Sequence, residues 1–162
     1  MNFPNDFVFH HIGIASLNIE KEYNNLRLFG YCKEGVSFID EAQGIKGQFI
    51  IADRQPRIEL LENLENSKTL DVWLNSNTKM YHLAYHVEDF DSIVEYLTGN
   101  RAKISSPAKR SVYFGERICF LMMANMSMIE LIEMPLRIIP PPPPRLIYQL
   151  IIWIDKKTLN SL

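Results

Sequence analysis

The sequence predicts an α+β protein made of two copies of one unit, in which a strand is followed by a helix and then by further strands. The first observation is a repeat: residues 9–16, FHHIGIAS, resemble residues 80–87, MYHLAYHV, which begin 71 positions later. Residues 49–62 and 120–133 repeat at the same offset, and no gap is needed between the two matches. A period of this length indicates two supersecondary units and not a solenoid.

The composition is that of an ordinary globular domain. The chain has 162 residues, of which 47% are hydrophobic and 22% charged, so it can bury a substantial core. The net charge of −2 offers no basic excess for phosphate backbones, which argues against nucleic acid as a partner. The N-terminus lacks a signal-peptide pattern, and no segment reaches the roughly 20 apolar residues of a membrane span. We therefore expect a cytoplasmic protein with no membrane partner.

The first unit can be followed element by element. Residues 7–15 are rich in Phe, Val and Ile and predict a strand. Residues 16–29 carry apolar side chains near helical spacing, and Gly30 ends this helix as a C-terminal glycine does. Residues 44–52 and 57–62 predict two strands joined by a turn at the sequence DRQP.

The second unit repeats this order. Residues 79–87 predict a strand, and residues 88–100 predict a helix whose acidic start favours the helix dipole. Residues 117–123 and 128–133 predict the closing strands, with a turn at the sequence ANMS. Module one thus covers about residues 7–62 and module two about residues 79–133.

The remaining segments form a connector and a tail. Residues 63–78 are a polar connector with a short predicted helix at residues 70–74, and residues 1–135 together are predicted to form one domain. Five consecutive prolines at 140–144 predict an extended polyproline spacer. The apolar segment that follows, within a tail of residues 136–162, is too short to span a bilayer, and we expect it to pack on the domain or on a second subunit.

Two cysteines, Cys32 and Cys119, are too few for a disulfide framework or a thiolate metal cluster. Both have apolar or aromatic neighbours in the sequence, so we expect them to be small residues of the core.

Side-chain alternation indicates which way the repeated polar residues face. His11 shares a strand face with Gly13, and His82 shares one with Ala84, while bulky aliphatic residues occupy the opposite faces. The two repeated IEL segments place a glutamate opposite aliphatic neighbours in the same way. If the two units pack as pseudo-symmetric halves, one cavity receives all four residues: His11, Glu59, His82 and Glu130.

Two imidazole nitrogens and two carboxylate oxygens, with no thiolate, suit a divalent ion such as Zn, Ni, Co, Fe or Mn. Other polar residues of the repeat are given structural interpretations. His10 alternates with His11 and is expected to face the other way, and His86 lies about 13 Å along its strand from His82. Glu62 and Glu133 fall on the aliphatic faces near strand ends, where solvated edges are expected.

The segments HHIGIA, IELLE, YHLAYHVEDFD and MIELIE resemble the four signature segments of the vicinal oxygen chelate superfamily, which includes glyoxalase I and methylmalonyl-CoA epimerase. The resemblance covers about residues 7–133 and implies two tandem βαβββ modules forming an eight-stranded incomplete barrel around a metal. It places His11, Glu59, His82 and Glu130 at the metal-ligand positions, and it implies a possible homodimer. The epimerase-like branch is the most similar.

One position departs from the epimerase pattern. Epimerases commonly carry a glutamate, one of two catalytic bases, where this sequence has Ala42. Glu130 matches the residue that serves as both ligand and base. The candidates for the second proton-transfer group are, in order, the neighbouring Glu41, the second ligand carboxylate Glu59 and a bound water. A shift of one residue in a strand reverses the direction of a side chain. The side chain of Glu41 is therefore expected to point the opposite way from the glutamate that epimerases carry at the position of Ala42.

The resemblance implies a metal-dependent isomerase that abstracts an α-proton from a small-molecule substrate, an acyl-CoA. Two alternatives remain. The first is a glyoxalase-I-like lactoylglutathione lyase, which uses the same metal and proton chemistry on a hemithioacetal. The second is a non-catalytic small-molecule-binding protein of the bleomycin-resistance type, although such proteins generally lack the four metal residues that this chain retains.

Overall fold

The computed structural model describes residues 7–135. The predictions for the proline run at 140–144 and for the apolar tail lie outside the described residues. Between residues 7 and 135, eight strands and three α-helices follow one another in the order strand, helix, three strands, short helix, and then strand, helix, three strands again. Their bounds are β1 Val8–Ala15, α1 Ile19–Leu26, β2 Cys32–Asp40, β3 Ile45–Ile51, β4 Ile58–Asn63, α2 Asp71–Asn75, β5 Met80–Val87, α3 Phe90–Gly99, β6 Lys103–Arg110, β7 Arg117–Met122 and β8 Met128–Glu133.

All eight strands belong to one mixed sheet with the order β2-β3-β4-β1-β5-β8-β7-β6. Within each half, the first strand runs parallel to the last, as β1 does to β4 and β5 does to β8. The halves join through the antiparallel pair of β1 and β5. Since β2 and β6 are the free ends of the strand order, the sheet does not close. The predicted eight-stranded, incompletely closed α+β fold is confirmed.

Each half carries its helix on the outer face of the sheet. Helix α1 packs through Ile19 against Ile50, Ile58 and Leu60 of the first half. Helix α3 buries Phe90, Ile93 and Leu97 against β7 and β8 of the second half. A third cluster, which includes Ala15, Leu61, Ala84 and Ile132, fills the inner side between the halves. The outer clusters bury the aliphatic faces of the strands, and the inner faces carry both this third cluster and the repeated polar residues.

The repeated glutamates at the strand ends fix the helices and are not merely solvated, so that expectation was wrong. The Glu62 carboxylate accepts a hydrogen bond of 2.7 Å from the backbone N–H of Ile19, the first residue of α1. In the second half, Arg117 donates to Glu133 at 2.7 and 2.9 Å and to Asp91 in the first turn of α3 at 2.9 and 3.0 Å. Both glutamates therefore tie the last strand of a half to the start of its helix.

Replacing Glu62 with alanine is expected to lower the free energy of unfolding by about 1 kcal/mol, because the first N–H of α1 loses its acceptor. Denaturant unfolding of the variant measures the change. The exposed Glu65, three residues away, provides the control when it is replaced in the same way. Equal stability of the two variants would contradict the anchoring role of Glu62.

The cysteines have different environments. Cys119 is buried in the outer core of the second half, as expected, whereas Cys32 is exposed at the start of the edge strand β2. The expectation of a core position for Cys32 was therefore wrong, because the preceding Tyr31, and not Cys32, packs into the outer core of the first half. Within residues 7–135, none of the helices is long and apolar enough to cross a bilayer.

Candidate metal centre

The structure brings together the four residues that the repeat singles out. They lie on the four central strands of the sheet, and their exposed fractions are only 0–6%. One donor atom from each residue lies within 4.8 Å of the donor atoms of the other three. The members of this cluster are His11 on β1, Glu59 on β4, His82 on β5 and Glu130 on β8.

The distances between the donor atoms are those of ligands around a single ion. The Nε2 atoms of His11 and His82 are 2.9 Å apart. The Oε2 atom of Glu59 lies 3.2 and 3.3 Å from these two nitrogens, and the Oε2 atom of Glu130 lies 3.4 and 3.5 Å from them. Four tetrahedral ligands bound to zinc at roughly 2.0–2.1 Å would be about 3.3 Å apart.

Small residues opposite the histidines make this convergence possible. Across the β1–β5 pair, His82 lies opposite Gly13, and His11 lies opposite Ala84. A Cβ atom added at Gly13 would come within 2.2 Å of His82 Cε1, a distance that side chains do not tolerate. Gly13 and Ala84 are also equivalent positions of the repeat, so each half provides the space for the other half's histidine.

Replacing Gly13 with alanine is therefore expected to displace the His82 ring and to weaken metal binding by about 10–100-fold, the usual cost of disturbing a ligand's support. Titration of the metal-free variant with Co²⁺ measures the affinity. Gly99, at the end of α3, has open space around the position of an added Cβ and serves as the control when changed to alanine. Unchanged affinity in Gly13→Ala would show that His82 does not need its observed position.

Electrostatic effects in the cluster shift the pKa values of the two carboxyl groups in opposite directions. Burial raises the pKa of Glu130 well above its ordinary value, and repulsion from Glu59 adds to this effect. Burial acts on Glu59 in the same direction, but its interactions with His11 and His82, which include hydrogen bonds, outweigh burial and lower the pKa of Glu59. Burial lowers the pKa of His11, although Glu59 acts in the opposite direction. The lowered pKa favours the neutral imidazole that metal binding requires.

A cation would complete the cluster. Among the described residues, the buried side-chain atoms without a hydrogen-bond partner are Glu130 Oε2 and His82 Nδ1. Such atoms are rare in folded proteins, because an unpaired buried polar group costs about 1–3 kcal/mol. Glu130 Oε2 lies among the other three donors, so an ion at this point would satisfy it. The residues present therefore fit a divalent metal.

A small cavity of about 20 Å³ borders the cluster, with room for about one water molecule. Tyr81, Tyr113 and Phe114 line it together with the two glutamates. A third carboxyl group, that of Asp40, also lines this cavity and is only 3% exposed. Glu41, the sequence candidate for a second base, lies in the turn after β2 with its side chain exposed, so the structure does not bring it into the cluster.

His10 lies beside the cluster, contrary to the expectation that it faces away. A β-bulge between Phe9 and His11 changes the alternation of β1 at this point. His10 Nδ1 lies 2.7 Å from His11 Nδ1, and the His10 ring stacks on His86 with the ring centres 4.4 Å apart. Burial, together with the positive groups around it, lowers the pKa of His10 to about 3.

Arg57, like Asp40, is a residue of this region that the sequence interpretation missed. It donates to His10 Nε2, to Glu34 at 2.6 Å and to Tyr113 Oη at 3.3 Å, and its guanidinium lies 4.1 Å from the centre of the Phe49 ring. These contacts connect β4 to the edge strand β2 and to the loop before β7. The position of Arg57, immediately before the repeated IEL segment, was the available signal, but in the second half Met128 stands there.

The fold and the cluster define an α+β protein of two paired modules with a buried two-histidine, two-glutamate site that can hold a metal ion. The family model described as the glyoxalase/bleomycin resistance protein/dioxygenase superfamily matches residues 10–120. The chain belongs to this superfamily. No curated protein matches the sequence.

Several solved structures share the fold. Hypothetical protein BH1468 from Bacillus halodurans C-125 has a TM-score of 0.69 at 20% identity, covering 81% of this chain and 96% of that chain. Methylmalonyl-CoA epimerase from Mycobacterium tuberculosis has a TM-score of 0.66 at 23% identity, covering 86% and 91%. A variant of the Streptomyces coelicolor methylmalonyl-CoA epimerase, in complex with 2-nitronate-propionyl-CoA, has a TM-score of 0.60 at 21% identity, covering 77% and 95%.

Proposed function

We propose that the protein is a metal-dependent isomerase that abstracts an α-proton from an acyl-CoA, as a methylmalonyl-CoA epimerase does. The observation that carries this proposal is the buried cluster of two histidines and two glutamates, in which Glu130 keeps a carboxylate oxygen without a hydrogen-bond partner. The likeness of the fold to methylmalonyl-CoA epimerases supports the choice of reaction.

The four residues of the cluster would hold the metal, and their donor set suits Co, Ni, Zn, Mn or Fe. When bound, the ion supplies a Lewis acid that stabilises negative charge on the carbonyl oxygen of a thioester. This charge develops when an α-proton leaves, and stabilisation at this point lowers the barrier most effectively.

Glu130 is the proposed base. Its carboxylate lines the cavity beside the other three donors of the cluster, where it can accept a proton from a substrate held there. Tyr81 lines the same cavity. Burial raises the pKa of its hydroxyl, and Glu130 and Glu59 raise it further. Its hydroxyl therefore stays protonated and can donate a hydrogen bond to a substrate oxygen.

A groove next to the cavity supports a substrate with an extended chain. Its volume is about 270 Å³, and it shares Gln43, Tyr81 and Phe120 with the cavity. Lys109 also lines the groove. Its positive charge partly offsets the rise in the pKa of Glu130 that burial and Glu59 cause. A thioester could enter along this route with its acyl group toward the cluster. The homodimer implied by the resemblance remains a prediction.

Proton NMR of methylmalonyl-CoA in D₂O with the cobalt-loaded protein tests the proposal. We expect the α-proton signal to disappear faster than in the absence of protein. A protein that holds its metal and exchanges no α-proton of a short branched acyl-CoA would contradict the proposal. Formation of S-lactoylglutathione from methylglyoxal and glutathione would then identify a lyase, and the absence of both reactions would favour a non-catalytic binding protein.

A further inference from the structure

An epimerase needs a proton-transfer group on each side of the substrate. The α-proton leaves one face of the carbon, and a proton must arrive at the opposite face for the configuration to invert. A single carboxyl group on one side returns the proton to the face from which it came. The proposed function therefore requires a partner for Glu130 that faces the same cavity from another direction.

Asp40 faces the cavity from the first half of the molecule. It is the last residue of the edge strand β2 and is 3% exposed. Phe38, two residues earlier, also lines the cavity, which is the alternation expected along a strand. Glu130 belongs to β8 in the second half, so the two carboxyl groups approach the cavity from different halves of the sheet.

Two hydrogen bonds hold the side chain of Asp40 in place at the wall of the cavity. Its Oδ1 atom accepts a hydrogen bond of 2.9 Å from the Gln43 backbone N–H, and its Oδ2 atom accepts one of 2.8 Å from Gln43 Nε2. A carboxylate offers about four acceptor positions, so these two bonds do not use up its capacity for a further hydrogen bond. Among the described residues, the other carboxyl groups lining this cavity are the proposed metal ligands Glu59 and Glu130.

We propose that Asp40 is the second proton-transfer residue, an inference that rests on the proposed epimerisation. In one direction, the α-carbon–hydrogen bond breaks, the proton passes to the Glu130 carboxylate, and the electron pair moves toward the thioester oxygen. Asp40, in its protonated form, then gives its proton to the opposite face as the carbon–oxygen double bond re-forms. Solvent resets the two carboxyl groups, and the reverse reaction exchanges their roles.

The experiment compares inversion with exchange in the cobalt-loaded protein. Each epimer of methylmalonyl-CoA is incubated in D₂O, exchange is followed by proton NMR, and inversion is followed with a coupling enzyme that consumes a single epimer. In Asp40→Asn we expect inversion to fall by at least about 100-fold, in the range of general acid–base effects. The epimer whose α-hydrogen faces Glu130 should still exchange its proton, with retention of configuration.

Loss of inversion with retention of exchange distinguishes a proton-transfer residue from a structural one. If Asp40 only closed the turn through Gln43, Asp40→Asn would lower inversion and exchange together, and that result would overturn the assignment. Inversion at the wild-type rate in Asp40→Asn would also overturn it, as would loss of inversion in Glu41→Gln alone. Asp53→Asn, at an exposed turn between β3 and β4, is the control for an aspartate-to-asparagine change. A wild-type protein that exchanges no α-proton would overturn the proposed function itself, and this inference with it.

Discussion

Replacing Glu130 with glutamine is expected to slow α-proton exchange by about 10²–10⁴-fold, the range found for positioned acid–base groups. The amide keeps the size of the side chain but cannot accept the proton. Because Glu130 is also a proposed metal ligand, the exchange rate has to be measured at saturating cobalt, with the bound metal quantified.

Glu59 provides the matched control, because it is the other buried glutamate of the cluster. Glu59→Gln is expected to weaken the metal site to a similar extent, since both changes remove a charged ligand. Once saturated with cobalt, however, the Glu59→Gln protein should exchange the α-proton much faster than the Glu130→Gln protein. Equal rates in the two variants would show that Glu130 acts as a ligand and not as the base.

The second large effect is expected on the stability of the metal-free protein. The pKa of Glu130 is raised from an ordinary value of 4.5 by burial and by Glu59, so the folded protein binds a proton that the unfolded chain has released. Stability is then fully present below pH 4.5 and is lost as the pH rises toward the folded-state pKa, by about 1.4 kcal/mol per pH unit across that window. The amide introduced by Glu130→Gln cannot titrate, so this variant should not lose stability in this way as the pH rises.

Urea unfolding in the presence of a chelator, at a series of pH values, measures this effect. Relative to the wild type, Glu130→Gln should gain stability as the pH rises above 4.5. Cobalt should remove the difference in pH dependence, because metal binding displaces the proton from Glu130. Parallel pH curves for the two metal-free proteins would mean that Glu130 carries no excess proton in the folded state.

Much of the fold could be predicted because the duplication is visible in the chain. The offset that relates His11 to His82 also relates Glu59 to Glu130, and strand alternation places all four opposite the aliphatic faces. Two constraints that agree in this way, one from the repeat and one from the pleat, identify the cluster more firmly than any single motif.

The two edge strands could not be located from the sequence. Strand β2 contains Gly35 and exposed polar residues, and β6 contains Pro107, which is tolerated only at edges and bulges. Both pair with a single neighbour and bury little, so their sequences carry weak strand patterns. Their existence followed from the family resemblance and not from their residues.

The details around the cluster depend on departures from regular strands. A bulge in β1 turns His10 toward His11, and period-two alternation cannot anticipate it. At the end of β2, the register places Asp40 at the cavity and leaves Glu41 exposed. A one-residue difference in register reverses the direction of every side chain, so the end of an unlocated edge strand could not be assigned.

The central claim is that residues from both halves hold one metal ion, and a titration of the metal-free protein with Co²⁺ tests it most directly. The visible absorption of the bound ion reports the environment of its ligands. We predict saturation at one ion per chain, and loss of this saturation in both His11→Gln and His82→Gln, because each half contributes one imidazole. Saturable binding that survives both substitutions, or no saturable binding in the wild-type protein, would contradict the account.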